Sequence, residues 1–130
     1  MSTRPVLKPQ AVIVAGDMSG DVTSDPTILN QLSAVSYQAR WAGTTPVGTL
    51  SIEFSNDYSL LPNGQVNNTG TWTTATIQYQ GLPVTSIPVS GNTGDAVIDI
   101  TVTALYACRL VFTYSSGVGS LDAIVMGRVQ

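Results

Sequence analysis

The stretch "QARWAGTTPVGTLSIEFSNDY", residues 38–58, carries the pattern that decides the fold. Its residues 49–55 alternate strictly between polar and apolar side chains, and the apolar members are Leu50, Ile52 and Phe54. Successive side chains of a β-strand point to opposite faces, so this alternation predicts a strand with one buried and one solvated face. Because a slip of one residue would expose three large apolar groups, the register of this strand is strongly specified.

The neighbouring segments repeat this pattern and indicate an all-β protein. Residues 36–42 place Tyr37, Ala39 and Trp41 on one face of a strand, and residues 43–48 have the Gly and Pro content of a turn. Further strands are predicted at residues 10–15, 71–79, 96–102, 108–114 and 121–129. Seven to eight strands with little helix predict an antiparallel β-sandwich or a jelly-roll-like fold.

Two of the later strands have inward faces that the alternation defines. The residues predicted to face the core in one strand are Ile98, Ile100 and Val102; in the other strand, Cys108, Leu110, Phe112 and Tyr114 are predicted to share one face. Residues 80–94 contain two prolines, which suit an edge strand or a loop better than a central strand. The core is therefore expected to lie between two sheets.

Two parts of the chain have a similar order of residue types, which we call the echo. The segment "WAGTTPVGTLSIEF" begins at Trp41, and "YSSGVGSLDAIV" begins at Tyr114. Both run from an aromatic residue through a Gly-, Ser- or Thr-rich turn to Val-Gly, a hydroxyl residue, Leu and a strand. The similarity is explained either by two β-hairpins of similar construction, in which glycine permits a positive φ or a bulge, or by chance resemblance between turn-rich β segments.

The composition indicates one domain with an unusually uncharged surface. The 130 residues are predicted to form an extended N-terminal arm at residues 1–9 and a single sandwich domain at residues 10–130. Charged residues make up 10% of the chain, against roughly 25% in ordinary globular proteins. The net charge is −3 and the cations are scattered, which argues against nucleic-acid binding, since that function uses clustered Lys and Arg.

The residue inventory argues against catalysis. The chain has no histidine, which excludes Ser-His-Asp sites, Cys-His sites and histidine metal sites. The single cysteine, Cys108, lies in an alternating strand and is expected to be a small buried hydrophobe. Glu53 and Asp99 occupy outward strand positions, where we expect solvated carboxylates rather than the acid pair of a glycoside hydrolase. We therefore predict no enzyme activity, no catalytic residue and no cofactor.

Three acidic residues recur at four-residue spacing in a loop rich in Gly and Ser: Asp17, Asp21 and Asp25. Their oxygens are of the type that Ca²⁺ prefers, but the spacing differs from that of an EF-hand loop. Hydrogen bonds from these carboxylates to the backbone of their own turns explain the residues equally well. We predict no metal site.

The long polar loop at residues 56–70 holds the best candidates for contact with a partner. Trp41 alternates with polar neighbours and is assigned to the core, whereas Trp72 lies near a loop and Tyr58 is expected to be the most exposed aromatic residue. The residues predicted to contact a partner are Asn56, Asp57, Tyr58 and Trp72.

Four segments resemble a group of small β-sandwich virion proteins of tailed bacteriophages and prophages: "WAGTTPVGTLSIEFSNDY", "TWTT", "VSGNTGDAVIDI" and "CRLVFTYSSGVGSLDAIVMGR". That group has a Trp-x-Gly-Thr-x-x-x-Gly-Thr-Leu motif before Ser-Asn-Asp, then Trp-Thr, then a C-terminal Arg-Leu/Val-x-Tyr/Phe-Thr-x-x-Ser-Gly-x-Gly-x-Leu pattern. The matching residues here are Trp41, Gly43, Thr44, Gly48, Thr49, Leu50, Ser55, Asn56, Asp57, Trp72, Thr73, Arg109, Leu110, Phe112, Thr113, Ser116, Gly117, Gly119 and Leu121.

This resemblance implies a structural component of a virion. The first expectation is a capsid decoration or spike-type protein that forms a homo-oligomer and binds other virion proteins such as the major capsid protein. A tail or head–tail connector component is the alternative, and a carbohydrate-binding module that contacts host-surface glycans is a second one. The N-terminus lacks the apolar core of a signal peptide and no segment matches a membrane span, so we expect synthesis in the host bacterial cytoplasm, location in the virion and no membrane partner.

Overall fold

Every strand pair in the part of the chain that the structure describes is antiparallel. A computed structural model describes residues 6–29, 32, 34–101 and 106–128. The strands in these residues are β1 (Val6–Asp17), β2 (Val22–Thr23), β3 (Thr27–Ile28), β4 (Ala34–Ser55), β5 (Ser59–Leu60), β6 (Val66–Asn68), β7 (Thr73–Thr74), β8 (Ile77–Tyr79), β9 (Leu82–Val84), β10 (Ile87–Val89), β11 (Thr93–Thr101) and β12 (Ala107–Arg128). The prediction of an all-β antiparallel fold is confirmed. None of the residues described forms a helix suited to crossing a membrane.

Two long strands, β4 and β12, form the central pair of the sheet. Each contains 22 residues, and they pair with one another from Ser55↔Ala107 at one end to Ala34↔Arg128 at the other. The ladder shifts register only around Ser116. The two strands are therefore a single antiparallel ribbon, and the remaining strands attach to its edges.

The ribbon bends in the middle, and each half forms one layer of a sandwich. We call the part built on residues 34–42 of β4 and residues 120–128 of β12 the first layer, which β1 and β11 flank. The part built on residues 48–55 and 107–114 is the second layer, which β2 and β3 flank on one side and β7 and β10 on the other.

The buried positions change parity at the bend. In β4 the buried apolar residues are odd-numbered in the first layer and even-numbered in the second: Val35, Tyr37, Ala39 and Trp41, then Leu50 and Ile52. In β12 the switch runs the other way, from Cys108, Leu110 and Phe112 to Leu121, Ala123 and Val125. Because all these side chains belong to one cluster, the inner faces of the two layers enclose a common core.

Glycines at the bend allow the two backbones to approach closely. Gly43 and Gly119 are cross-strand partners, and a Cβ on Gly43 would overlap the backbone of Gly119. On the same bend Gly117 has a φ of 81° and Thr45 a φ of 44°. Left-handed backbone and an absent side chain are the means by which a strand takes up a bulge and changes direction.

The predicted inward faces are confirmed with one exception. Trp41, Ile98, Ile100 and Cys108 are all buried. Tyr114, predicted to share one face with Cys108, Leu110 and Phe112, is 41% exposed, whereas those three residues are buried. It stands where the strand enters the bend, so the alternation that holds up to Phe112 no longer applies; Val102 lies outside the described residues.

The prediction of two similar hairpins is wrong. Residues 36–42 pair with β11 and β12, and not with residues 49–55, while residues 107–113 likewise pair with β4. Gly- and Pro-containing segments permit a bend as readily as a reversal, and pairing with a distant strand decides between them. The echo in the sequence instead marks two bends that lie directly opposite one another.

Other predicted boundaries also differ from the structure. The single strand predicted at residues 71–79 is divided into β7, which pairs with β4, and β8, which pairs with β11. The predicted arm at residues 1–9 overlaps β1, since Val6 pairs with Arg128. Its residues 1–5 lie outside those the structure describes.

Candidate functional site

The loop that follows the second layer is closed at its base by Asp57. One oxygen of its carboxylate, Oδ1, accepts hydrogen bonds from the Ser55 hydroxyl and from the backbone amide of Thr71, both at 2.7 Å. The Thr71 amide and the Ser55 hydroxyl hold the pKa of the Asp57 carboxyl below its usual value. The Asp57 side chain therefore joins the two ends of the loop at residues 58–70.

Ser55 and Asn56 of the Ser-Asn-Asp motif have similar structural roles. The buried Ser55 hydroxyl accepts a bond from the Tyr58 amide at 3.1 Å. Asn56 Oδ1 accepts one from the Tyr106 amide at 2.8 Å and so ties the loop to the start of β12. All three polar residues of the motif satisfy backbone groups that would otherwise lack partners.

Tyr58 does not have the exposure that the sequence predicted. It is only 8% exposed, because its ring packs against Trp72 with centroids 5.7 Å apart and the planes tilted by 53°. This is a favourable geometry for two aromatic rings. Of the two aromatic residues predicted to contact a partner, only Trp72 keeps substantial exposed surface, as a half-buried residue.

The guanidinium group of Arg109 lies over the ring of Trp72. The guanidinium carbon of Arg109 lies 4.2 Å from the ring centroid, and its Nη2 lies 2.7 Å from Glu53 Oε1. Arg109 and Glu53 are cross-strand partners in β12 and β4, which explains why they meet on the outer face of the second layer. A guanidinium over a tryptophan is a cation–π contact. It occupies a surface that a sugar ring would need for stacking.

This role of Arg109 and Glu53 was not predicted from the sequence. Both residues stand at outward positions of alternating strands and have opposite charges, which is the signal that a cross-strand pair leaves. Using that signal requires knowledge of which strands are neighbours, and β4 and β12 are far apart in the sequence.

The surface has an open depression beside the Ser-Asn-Asp motif and another on the first layer. One, of about 520 Å³, lies beside the motif and is lined by residues 54–57, 71 and 73–75. The other, of about 610 Å³, lies on the first layer and is lined by residues 40–42, 93–95, 120 and 122. Asp122 there accepts a hydrogen bond from the amide of Ala15 at 2.8 Å, so it also serves the backbone.

The acidic residues considered for calcium or for hydrolysis lie apart. Asp17 accepts bonds from the amide and hydroxyl of Ser19, and Asp21 accepts one from the amide of Tyr114. Among the residues described, no three His, Cys, Asp or Glu side chains form a group that could hold a metal ion. Glu53 and Asp99 stand at outward positions of different layers, so the fold does not bring these two carboxylates together.

Comparison with known proteins identifies a likeness in fold. No protein-family model matches the sequence, and no curated protein matches it significantly. Among solved structures, the chain is similar to the crystal structure of the SPBc2 prophage-derived protein YomS, with a TM-score of 0.58 and 9% sequence identity. The similarity covers 97% of this chain and 96% of that chain, and at this identity it shows a shared fold.

Proposed function

We propose that this chain is a non-enzymatic structural protein of a bacteriophage virion, of the capsid decoration or spike type, which assembles with itself and with the capsid. The observation that carries the proposal is the use of the Ser-Asn-Asp motif. Ser55, Asn56 and Asp57 bond to backbone amides and to one another, so the motif that resembles virion proteins builds the fold. The likeness in fold to a prophage-derived protein supports the same setting.

The alternative of carbohydrate binding has less support. A stacking platform needs an open aromatic face, and Arg109 lies over the ring of Trp72 while Tyr58 packs against it. A sugar that stacked on the face of Trp72 under Arg109 would have to displace the guanidinium. No described contact favours this alternative over a structural role.

The position in the particle is open to a direct experiment. Particles purified from the phage or induced prophage that encodes this chain would be analysed by quantitative mass spectrometry. A decoration protein is expected on the order of hundreds of copies per particle, whereas about six or twelve copies would indicate a neck or tail component, because each location imposes its own symmetry. Absence of the chain from purified particles would overturn the proposal.

A further inference from the structure

A long segment of the chain carries no charge. Residues 58–94 contain no Asp, Glu, Lys or Arg, and the 8 acidic and 5 basic residues all lie before or after it. The net charge of −3 therefore belongs entirely to the rest of the chain. Two copies that meet through this segment bring no charged side chain of the segment into the contact.

Within this segment, β5 and β6 form a hairpin outside the main sheet. They pair only with one another among the strands described, in a two-stranded sheet of their own. Leu60, Leu61 and Val66 on this hairpin are 40%, 41% and 50% exposed. A two-stranded sheet is at best marginally stable in water, and three or more strands with an apolar face are needed for stability.

Hydrogen bonds nevertheless hold the hairpin in a defined conformation. Its turn is closed by bonds from the Leu61 amide to the Gln65 carbonyl at 2.7 Å and from the Gly64 amide to the Leu61 carbonyl at 2.9 Å. Its base is closed by the bond between Asp57 and the Thr71 amide. The fold thus presents three aliphatic side chains at a defined place rather than burying them.

We propose that the β5–β6 hairpin is a self-association surface that docks on the same hairpin of a second copy. A two-fold contact of this kind places an uncharged patch against itself, as the charge-depleted centre of an interface requires. Joining two hairpins produces four strands, which removes the weakness of the isolated pair. The inference rests on the proposed structural role in a virion, where such a contact connects neighbouring subunits.

The test uses the purified chain in sedimentation-velocity experiments between about 1 µM and 1 mM, the range that detects weak association. The wild-type chain is expected to associate with increasing concentration. Leu60→Glu introduces a charge at the contact and is expected to raise the dissociation constant about tenfold or more. Val97→Glu is the matched control, because Val97 is similarly exposed but lies on β11, and it should leave the association unchanged.

Three results would overturn the inference: a wild-type chain that stays monomeric, equal association of both variants, or equal loss in both. Circular dichroism and thermal melting would establish that each variant is folded. Val66→Ser supplies a milder second variant with the same expected direction. The copy number in particles is measured separately, so failure of self-association and failure of the proposed virion role are distinguishable.

Discussion

The hydroxyl of Tyr37 lies 3.1 Å from the sulfur of Cys108, and this contact joins the two layers. Tyr37 belongs to the first layer and Cys108 to the second, and the same hydroxyl donates to Thr27 Oγ1 at 3.4 Å. All three residues are buried. The contact exists only because the β4–β12 ribbon folds over and turns both inner faces toward one core.

Replacing Tyr37 with Phe tests this junction. The substitution removes only the hydroxyl and leaves the sulfur and Thr27 without that partner, so we expect a loss of about 1 kcal/mol in the free energy of unfolding. Denaturant unfolding would measure it, with Tyr114→Phe as the exposed control. A double-mutant cycle with Cys108→Ala should show coupling between the two sites. Full stability in Tyr37→Phe would contradict the assigned role.

The pH dependence of stability in the alkaline range should report on Cys108. Burial raises the pKa of its thiol from 9.0 to about 11, and burial also raises the pKa of the Tyr37 hydroxyl. Between these two thiol values the unfolded chain has lost a proton that the folded chain keeps. The thiol's contribution is therefore fully present below pH 9 and is lost as pH rises toward about 11, by about 2–3 kcal/mol in total.

Denaturation midpoints measured at intervals across this range would check the prediction. Cys108→Ala removes the titrating thiol, so the variant should lose stability less steeply with pH than the wild type, while Tyr37 continues to contribute in both. An identical slope in the two chains would show that the thiol is not buried as described.

The bend should depend on the glycine pair at its centre. A Cβ on Gly43 would overlap backbone atoms of Val118 and Gly119, which have no flexible end to move aside. We expect Gly43→Ala to destabilise the protein by about 2 kcal/mol. Gly20→Ala is the control, because a Cβ there meets open space and the change should stay within about 0.5 kcal/mol. Thermal melting of both variants would decide it.

Asp57→Ala should open the loop between residues 58 and 70. Without the carboxylate, the Thr71 amide and the Ser55 hydroxyl lose their acceptor, and we expect faster limited proteolysis within the loop. Asp99→Ala, an exposed carboxylate on β11, serves as the control. Because the folded pKa of Asp57 is lowered, its contribution is present above the ordinary value of 3.8 and disappears as pH falls through the folded pKa. An NMR titration of the carboxyl group would measure that pKa.

Arg109→Met should expose Trp72 with little loss of stability. Methionine keeps an unbranched side chain but has no charge with which to pair with Glu53 or to make the cation–π contact, and such partly exposed contacts contribute about 0.5–1 kcal/mol. We expect stronger acrylamide quenching of tryptophan fluorescence. The signal is specific, because Trp41, the other of the two tryptophans, is buried. Unchanged quenching would show that Arg109 does not cover the ring in solution.

The alternation of residues 49–55 was sufficient to predict the strand and its inner face, and the same holds for Ile98, Ile100 and Cys108. The candidate site was predicted less well. Asn56, Asp57 and Trp72 do lie around one loop, but Tyr58 packs beneath Trp72 instead of facing solvent. A local pattern does not show which aromatic ring covers another, because that depends on where distant segments meet.

The sequence by itself determined that the fold is all-β, which face of the clearly alternating strands is apolar and where the chain has the freedom to change direction. These properties are local, since side-chain periodicity and glycine conformation act within a few residues. Only the tertiary structure decided that residues 43–48 and 115–119 are bends in two paired strands rather than hairpin turns. Whether each segment bends or reverses depends on pairing between strands about 70 residues apart in the sequence. This pairing costs loop-closure entropy, and burial of the shared core offsets that cost. Neither segment's own sequence shows which distant strand it will pair with.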